Sequence, residues 1–194
     1  MKAIIKKISI TLLATLFLLA GCGKTTTQTS QLAEKIKTNI PALANMTTGP
    51  VSLDSILAYY TDIDTKWVEI IEAKPPREYR TGIEAQQKIA QQLKTLITPI
   101  KDADPATVEV NYIGTENATA AGNVTGIFIY NFQTQDLAAI TDELITDANS
   151  FTDASQSGEY FHKKGNYIIT CEYGAVENPQ DLFTKIDTEI SSQA

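Results

Sequence analysis

The spacing of apolar residues first separates helix-like from strand-like segments along the chain. The clearest helix follows a capping box formed by Thr81 and Glu84. Its apolar residues recur every three or four positions and form a single stripe of Ala85, Ile89, Leu93, Leu96 and Ile100. Shorter helices are predicted where a capping residue precedes an apolar stripe: Gln31–Ile40, Leu53–Tyr60, a segment from Thr134 to Ala148, and a segment from Asn178 to Ile190.

Strict alternation of apolar and polar residues predicts strands in the second half of the chain. Two of them are Thr107–Gly114 and Asn123–Phe132. A hairpin follows, with Glu159–Lys163 and Asn166–Tyr173 joined by a turn at Lys164-Gly165. A turn one residue later, at Gly165-Asn166, also fits.

The segment Trp67–Ala73 fits either a strand or a helical turn. If it is a strand, the middle of the chain runs strand, helix, strand, strand, helix, strand, which is the ferredoxin-like order. We therefore predict the α+β class: a mainly antiparallel sheet with helices packed on one face, extra helices at the N-terminus and one at the C-terminus.

The first 22 residues follow a different pattern. Lys2, Lys6 and Lys7 precede an uncharged apolar run, Ile8–Ala20. Its 13 residues match the core of a signal peptide, whereas a membrane-spanning helix needs about 20. The run ends in Leu19-Ala20-Gly21-Cys22, which resembles the lipobox of bacterial lipoproteins.

The lipobox resemblance implies that the chain is cut between Gly21 and Cys22 and that the Cys22 thiol carries a diacylglycerol. Each buried CH₂ contributes about 0.8 kcal/mol, so a second acyl chain on the new amino terminus would make the anchor stable. We expect residues 1–21 to be a removed signal peptide and residues 22–30 to be the lipidated cysteine with a flexible tether. Residues 31–194 would form one globular domain on the extracytoplasmic side of the cell membrane.

The globular part also resembles small uncharacterised lipoprotein domains of Gram-positive bacteria. In those domains a strand–helix unit precedes a strand with lysine-glycine-asparagine-tyrosine, here Lys164 to Tyr167. That resemblance implies no particular activity.

Charge narrows the class of partner. Cleavage would remove three lysines and no acid, so the formal charge would fall from −7 to −10. Nucleic acid is not the expected partner of such an acidic chain, because phosphate binding depends on clustered Lys and Arg. A cationic partner is favoured instead.

His162 and Cys171 are the one candidate pair of base and nucleophile. With a turn at Gly165-Asn166 they lie diagonal on one face of the hairpin, about 7 to 8 Å apart along the backbone. Alternation also predicts that Cys171 is a buried small hydrophobe beside Ile169. We expect no catalytic residue here.

No metal or cofactor site is predicted either. With one histidine and one free cysteine, a zinc site would need carboxylates for its remaining ligands, and no clustered spacing of carboxylates indicates one. Asp62-Ile-Asp64 begins like a calcium loop, but Trp67 stands where that loop needs glycine. GCGKTT from Gly21 lacks the first glycine of a phosphate-binding loop, because Leu18 occupies that position.

Aromatic residues offer the remaining functional signal, because Tyr and Trp are enriched at interfaces. They form two groups: Tyr59, Tyr60, Trp67 and Tyr79, and then Tyr160, Phe161, Tyr167 and Tyr173. We predict a non-catalytic binding or interaction domain whose partner is a protein, a peptide or an envelope component. A small-molecule receptor of an uptake system and a small envelope enzyme are the alternatives.

Overall fold

The structure is a computed structural model that describes residues 27–72, 75–103, 107–114, 126–133, 135–156 and 158–192. The predicted signal peptide, with Gly21 and Cys22, lies outside these residues, and so does most of the predicted tether.

Helices and strands alternate irregularly along the described part of the chain. The helices are α1 Gln28–Asn39, α2 Leu53–Glu72, α3 Arg77–Ala103, α4 Asp142–Ser155 and α5 Pro179–Ser191, with a short 3₁₀ turn at Pro41–Leu43. The strands are β1 Thr47–Pro50, β2 Glu109–Gly114, β3 Gly126–Asn131, β4 Glu159–Lys164 and β5 Tyr167–Glu172.

The five strands form one sheet in the order β1-β2-β3-β5-β4, and every neighbouring pair is antiparallel. The register aligns Glu109, Asn131, Tyr167 and Lys164 in one row, which we call the Glu109 end of the sheet. At the opposite end of the sheet, Gly114 pairs with Gly126 and Glu172 pairs with Glu159. We call this the Glu159 end.

Helices cover both faces of this sheet. On one face α2, α3 and α4 pack around Phe128, Tyr130 and Phe161. On the other face α1 and α5 pack around Ile129 and Ile169. The α+β class and the antiparallel sheet are confirmed, while the helices are not confined to one face. The physical reason lies in β3, because all six of its residues are buried and such a strand needs cover on both sides.

The segment from Trp67 onward is helical, since α2 continues without interruption to Glu72. Ile63, Trp67 and Ile70 recur at helical spacing, and the Lys66–Asp62 ion pair of 2.6 Å joins positions i and i+4. The ferredoxin-like order, which required a strand here, therefore does not form. The sheet also contains no parallel neighbours, unlike that arrangement.

Several boundaries differ from the predicted ones. The last residues of the predicted tether, Gln28–Ser30, form the first turn of α1, and Thr27 caps that helix. Helix α3 begins at Arg77, so Thr81 and Glu84 lie inside it and form no capping box. Helix α4 begins at Asp142, because Thr141 accepts the Leu144 N–H at 3.2 Å; Thr134 lies outside the described residues.

The hairpin turns at Gly165-Asn166, the later of the two predicted positions. Gly165 has φ 56°, a left-handed conformation that glycine adopts without strain.

Candidate functional site

A cavity of about 240 Å³ opens between α2, α3 and the β4–β5 hairpin, at the Glu159 end of the sheet. We call it the acidic pocket. Its side walls come from α2 and α3, and its floor comes from β4 and β5. The residues that matter for its chemistry are Tyr59, Trp67, Ile70, Gln86, Glu159 and Glu172.

Glu159 is the first residue of β4 and is only 6% exposed. Its Oε1 accepts a hydrogen bond from the Tyr59 hydroxyl at 2.7 Å. Burial raises the pKa of the Glu159 carboxyl to about 7, the Tyr59 hydrogen bond opposes that rise, and the nearby Glu172 adds to it. Near neutral pH this carboxyl is therefore divided between its acid and its carboxylate forms.

Glu172 stands directly opposite Glu159 in the β4–β5 register. It is half-buried, and burial raises its pKa as well. The nearest basic side chain of the pocket lining, Lys66, pairs with Asp62 on its own helix. Among the described residues neither glutamate forms an ion pair, so the pocket holds negative charge without a neutralising partner.

Gln86 supplies a third acceptor to the pocket. It is 3% exposed, and its Nε2, which carries two N–H donors, lies 3.0 Å from the carbonyl oxygen of Ala148, 2.8 Å from Thr152 Oγ1 and 2.7 Å from the carbonyl oxygen of Glu159. These contacts fix the amide orientation, because two of the acceptors are carbonyl oxygens. The Oε1 atom receives no hydrogen bond from any described residue.

A layer of buried tyrosines supports the acidic pocket. The hydroxyls of Tyr60 and Tyr130 lie 2.9 Å apart, and Tyr59 stacks on Phe128 with ring centroids 6.3 Å apart. Burial raises the pKa of Tyr59 and of Tyr60 well above the usual range. Both therefore stay neutral, and the Tyr59 hydroxyl remains a donor to Glu159.

The rim of the acidic pocket is apolar. Ile70 lines the pocket and is 40% exposed. Val68 is 43% exposed, but it lies two positions away on another side of α2 and outside the pocket lining. The Trp67 ring meets Phe151 edge to face, with centroids 5.7 Å apart. A helix of 20 residues is about 30 Å long, whereas a six-residue strand spans roughly 20 Å, so the last turns of α2 extend past the Glu159 end.

His162 and Cys171 lie diagonal to each other on the face covered by α5, as the Gly165-Asn166 turn requires. His162 Nε2 lies 2.7 Å from Asp187 Oδ1, and its ring stacks on Phe183. Cys171 is fully buried, as predicted, and burial raises the pKa of its thiol to about 12. This pair gives no accessible thiolate nucleophile.

The segment that begins like a calcium loop, Asp62-Ile-Asp64, lies within α2. Asp64 accepts hydrogen bonds from Gln87 and Gln91 and pairs with Lys94, so its carboxylate serves the α2–α3 contact. Within the described ranges no group of three His, Cys, Asp or Glu side chains could hold a metal ion.

The aromatic groups divide between core and pocket. Tyr60, Tyr160 and Phe161 are buried, and Tyr173 is exposed on the opposite face. Tyr59 and Trp67 line the acidic pocket. Sequence reasoning singled out these two, but it missed Gln86, Glu159 and Glu172. The alternation of side chains along β4 could have indicated Glu159, because it places this residue on the same side of the strand as the apolar Phe161.

The sequence matches no protein-family model, no curated protein and no solved structure. No helix among the described residues has both the length and the apolar character needed to cross a membrane.

Proposed function

We propose that this chain is a lipid-anchored extracytoplasmic domain that binds a cationic partner in the acidic pocket, without catalysing a reaction. The observation that carries the proposal is the pair Glu159 and Glu172, two acids that share a cavity and form no ion pair among the described residues. Lys66, the basic residue of the lining, pairs with Asp62 instead. The lipobox at Leu19–Cys22 supports the location.

Folding stability alone does not account for Glu159. Burying a carboxylate without a cation is costly, and Gln would keep the Tyr59 hydrogen bond without the charge. A perturbed acid in a cavity is more typical of a functional site than of a structural one. A bound cation would offset that cost.

The position of the pocket suits a domain tethered through Cys22. Thr29, in the first turn of α1, donates its N–H and its hydroxyl to Glu109 at 3.1 and 2.6 Å. The described chain therefore begins at the Glu109 end, and the acidic pocket lies at the Glu159 end, roughly 20 Å away along six-residue strands. A lipid on Cys22 would leave the pocket facing away from the bilayer.

The alternatives have less support. A receptor for an uptake system commonly closes two lobes around its ligand, whereas the described residues pack around one sheet. An envelope enzyme built on His162 and Cys171 would need an accessible thiol, and Cys171 is fully buried.

The anchor is tested in a bacterial host that processes lipoproteins. The expected product starts at Cys22, carries the mass of a diacylglycerol and sediments with membranes. Cys22→Ala should stay uncut and unlipidated. A wild-type chain that is secreted without lipid would contradict the anchor.

Binding is tested with the full-length protein in a non-ionic detergent. Trp67 is the single tryptophan of the chain and lines the pocket, so its fluorescence reports occupancy. We expect a saturable change with n-butylammonium and none with butyrate. Glu172→Gln should weaken the ammonium response, and Glu143→Gln, at an exposed position in the first turn of α4, should not. Equal responses from these two variants would contradict the proposed binding site.

A further inference from the structure

We infer that the natural occupant of the acidic pocket is a primary ammonium group, the side chain of a lysine on an amphipathic cationic peptide whose apolar residues rest on Ile70. This inference rests on the proposed function, since it names the partner of the same pocket.

The unsatisfied atoms of the pocket point to a ligand that donates hydrogen bonds. Among the described residues the Glu172 carboxylate receives no hydrogen bond, the Glu159 carboxylate receives only that of Tyr59, and Gln86 Oε1 receives none. An ammonium group carries three N–H donors and a positive charge, which matches these three acceptors. A quaternary ammonium has the charge but no donor, so it would leave these acceptors without hydrogen bonds.

The size of the pocket points to a side chain and not to a larger free molecule. Sites for drug-sized ligands usually enclose about 300 to 1,000 Å³, and this cavity has about 240 Å³. Its walls suit a lysine stem, because Tyr59 and Trp67 offer apolar ring surface on the way to the carboxylates.

The rim points to a peptide. Ile70 projects from the part of α2 beyond the sheet, where it lines the pocket and stays 40% exposed. A free small cation would not cover this side chain, whereas apolar residues next to the inserted lysine would. The formal charge of the chain, −7 before processing, attracts a cationic peptide over a longer range.

The test uses one short amphipathic peptide with a single central lysine between leucines, and Trp67 fluorescence of the full-length protein in non-ionic detergent. A second peptide carries trimethyl-lysine at the same position. The probe for the side chain alone is Nα-acetyl-lysine amide, in which the ε-ammonium group is free. We expect trimethylation to weaken binding about tenfold or more, because charge-assisted hydrogen bonds are lost. We expect the peptide to bind more tightly than the amide.

The rim is tested separately with Ile70→Ser. This variant should weaken peptide binding about fivefold, since part of an apolar contact is lost, and should weaken binding of Nα-acetyl-lysine amide less. Tyr173→Ser is the matched control, because it also removes an exposed apolar side chain but outside the pocket. It should change neither affinity.

The outcomes separate this inference from the proposed function. Equal binding of lysine and trimethyl-lysine peptides would overturn the donor argument. An amide that binds as tightly as the peptide, with the same effect of Ile70→Ser on both, would overturn the peptide assignment. Either result would still agree with the proposed function, the binding of a cation in the acidic pocket. If no cation binds and Glu172→Gln changes nothing, the proposed function fails as well.

Discussion

Glu159 and Glu172 stand directly opposite each other on β4 and β5, and both side chains face the acidic pocket beneath α2. Like charges at opposite positions of two strands destabilise a sheet. Here the burial of Glu159 adds to that cost, because its carboxylate receives one hydroxyl donor and Lys66, the lysine of the pocket lining, pairs with Asp62 instead. The pair therefore links the stability of the domain to pH and to ligand.

The stability of the domain should change with the ionisation of Glu159. The pKa of its carboxyl rises from an ordinary 4.5 to about 7 on folding, so the folded state holds this proton more tightly than the unfolded state. The contribution of the Glu159 carboxyl to the free energy of unfolding is fully present below pH 4.5 and is lost as the pH rises through about 7. Relative to wild type, Glu159→Gln should gain about 3 kcal/mol between pH 4.5 and pH 8.

Urea unfolding at several pH values measures this difference. Glu143→Gln provides the control, because Glu143 is exposed and lies outside the pocket. Its free energy of unfolding should follow that of wild type at every pH. A difference between Glu159→Gln and wild type that stays constant from pH 4.5 to pH 8 would show that Glu159 is not buried as described.

Cation binding should strengthen as the pH rises. The ammonium group needs the ionised form of Glu159, and a free pocket with a pKa of about 7 must release a proton before it binds. The lysine side chain stays charged throughout, since its pKa is about 10.4. We expect the affinity for the lysine peptide to fall about tenfold from pH 8 to pH 6. Glu159→Gln should bind weakly with little pH dependence, and a flat wild-type profile would argue against this coupling.

The Gln86 amide should matter more for stability than a surface amide. Gln86→Leu removes the donor shared by Ala148, Thr152 and Glu159 in a buried setting, so we expect a loss of about 1–3 kcal/mol in the free energy of unfolding. Gln91→Leu, which breaks one exposed bond to Asp64, should cost less than about 0.5 kcal/mol. Similar losses for the two variants would contradict this role for Gln86.

Local signals in the sequence were enough to predict much of the fold. The apolar stripe of α3 is buried from Ala85 to Ile100 apart from the half-buried Leu96, and Asn178 caps α5 by accepting the Asp181 N–H at 3.0 Å. Such features depend on neighbours within a few residues. Strand β1 had no such signal, because Thr47–Pro50 contains glycine and proline and becomes a strand by pairing with β2.

The acidic pocket could not be predicted from local patterns. Its central hydrogen bond joins Tyr59 to Glu159, which are 100 positions apart in the sequence. Their meeting depends on the packing of α2 over the sheet and on β4 lying at the edge of the sheet. The strand alternative for Trp67–Ala73 would have removed Trp67 and Ile70 from the rim, so the main error in the predicted fold also concealed the site.

The packing of α3 on α4 should control the pocket through Gly82. A Cβ atom at this position would lie 2.2 Å from Cβ of Phe151 and 3.0 Å from the carbonyl oxygen of Asp147, so the two helices would have to separate. Gly82 is one turn before Gln86, and Gly82→Ala should therefore weaken cation binding as well as lower the free energy of unfolding by about 1–3 kcal/mol. Thr81→Ala changes the adjacent exposed position and should leave both unchanged. Urea unfolding and Trp67 titration with the lysine peptide measure the two effects. If Gly82→Ala folds with wild-type stability, the close contact of α3 with α4 is wrong.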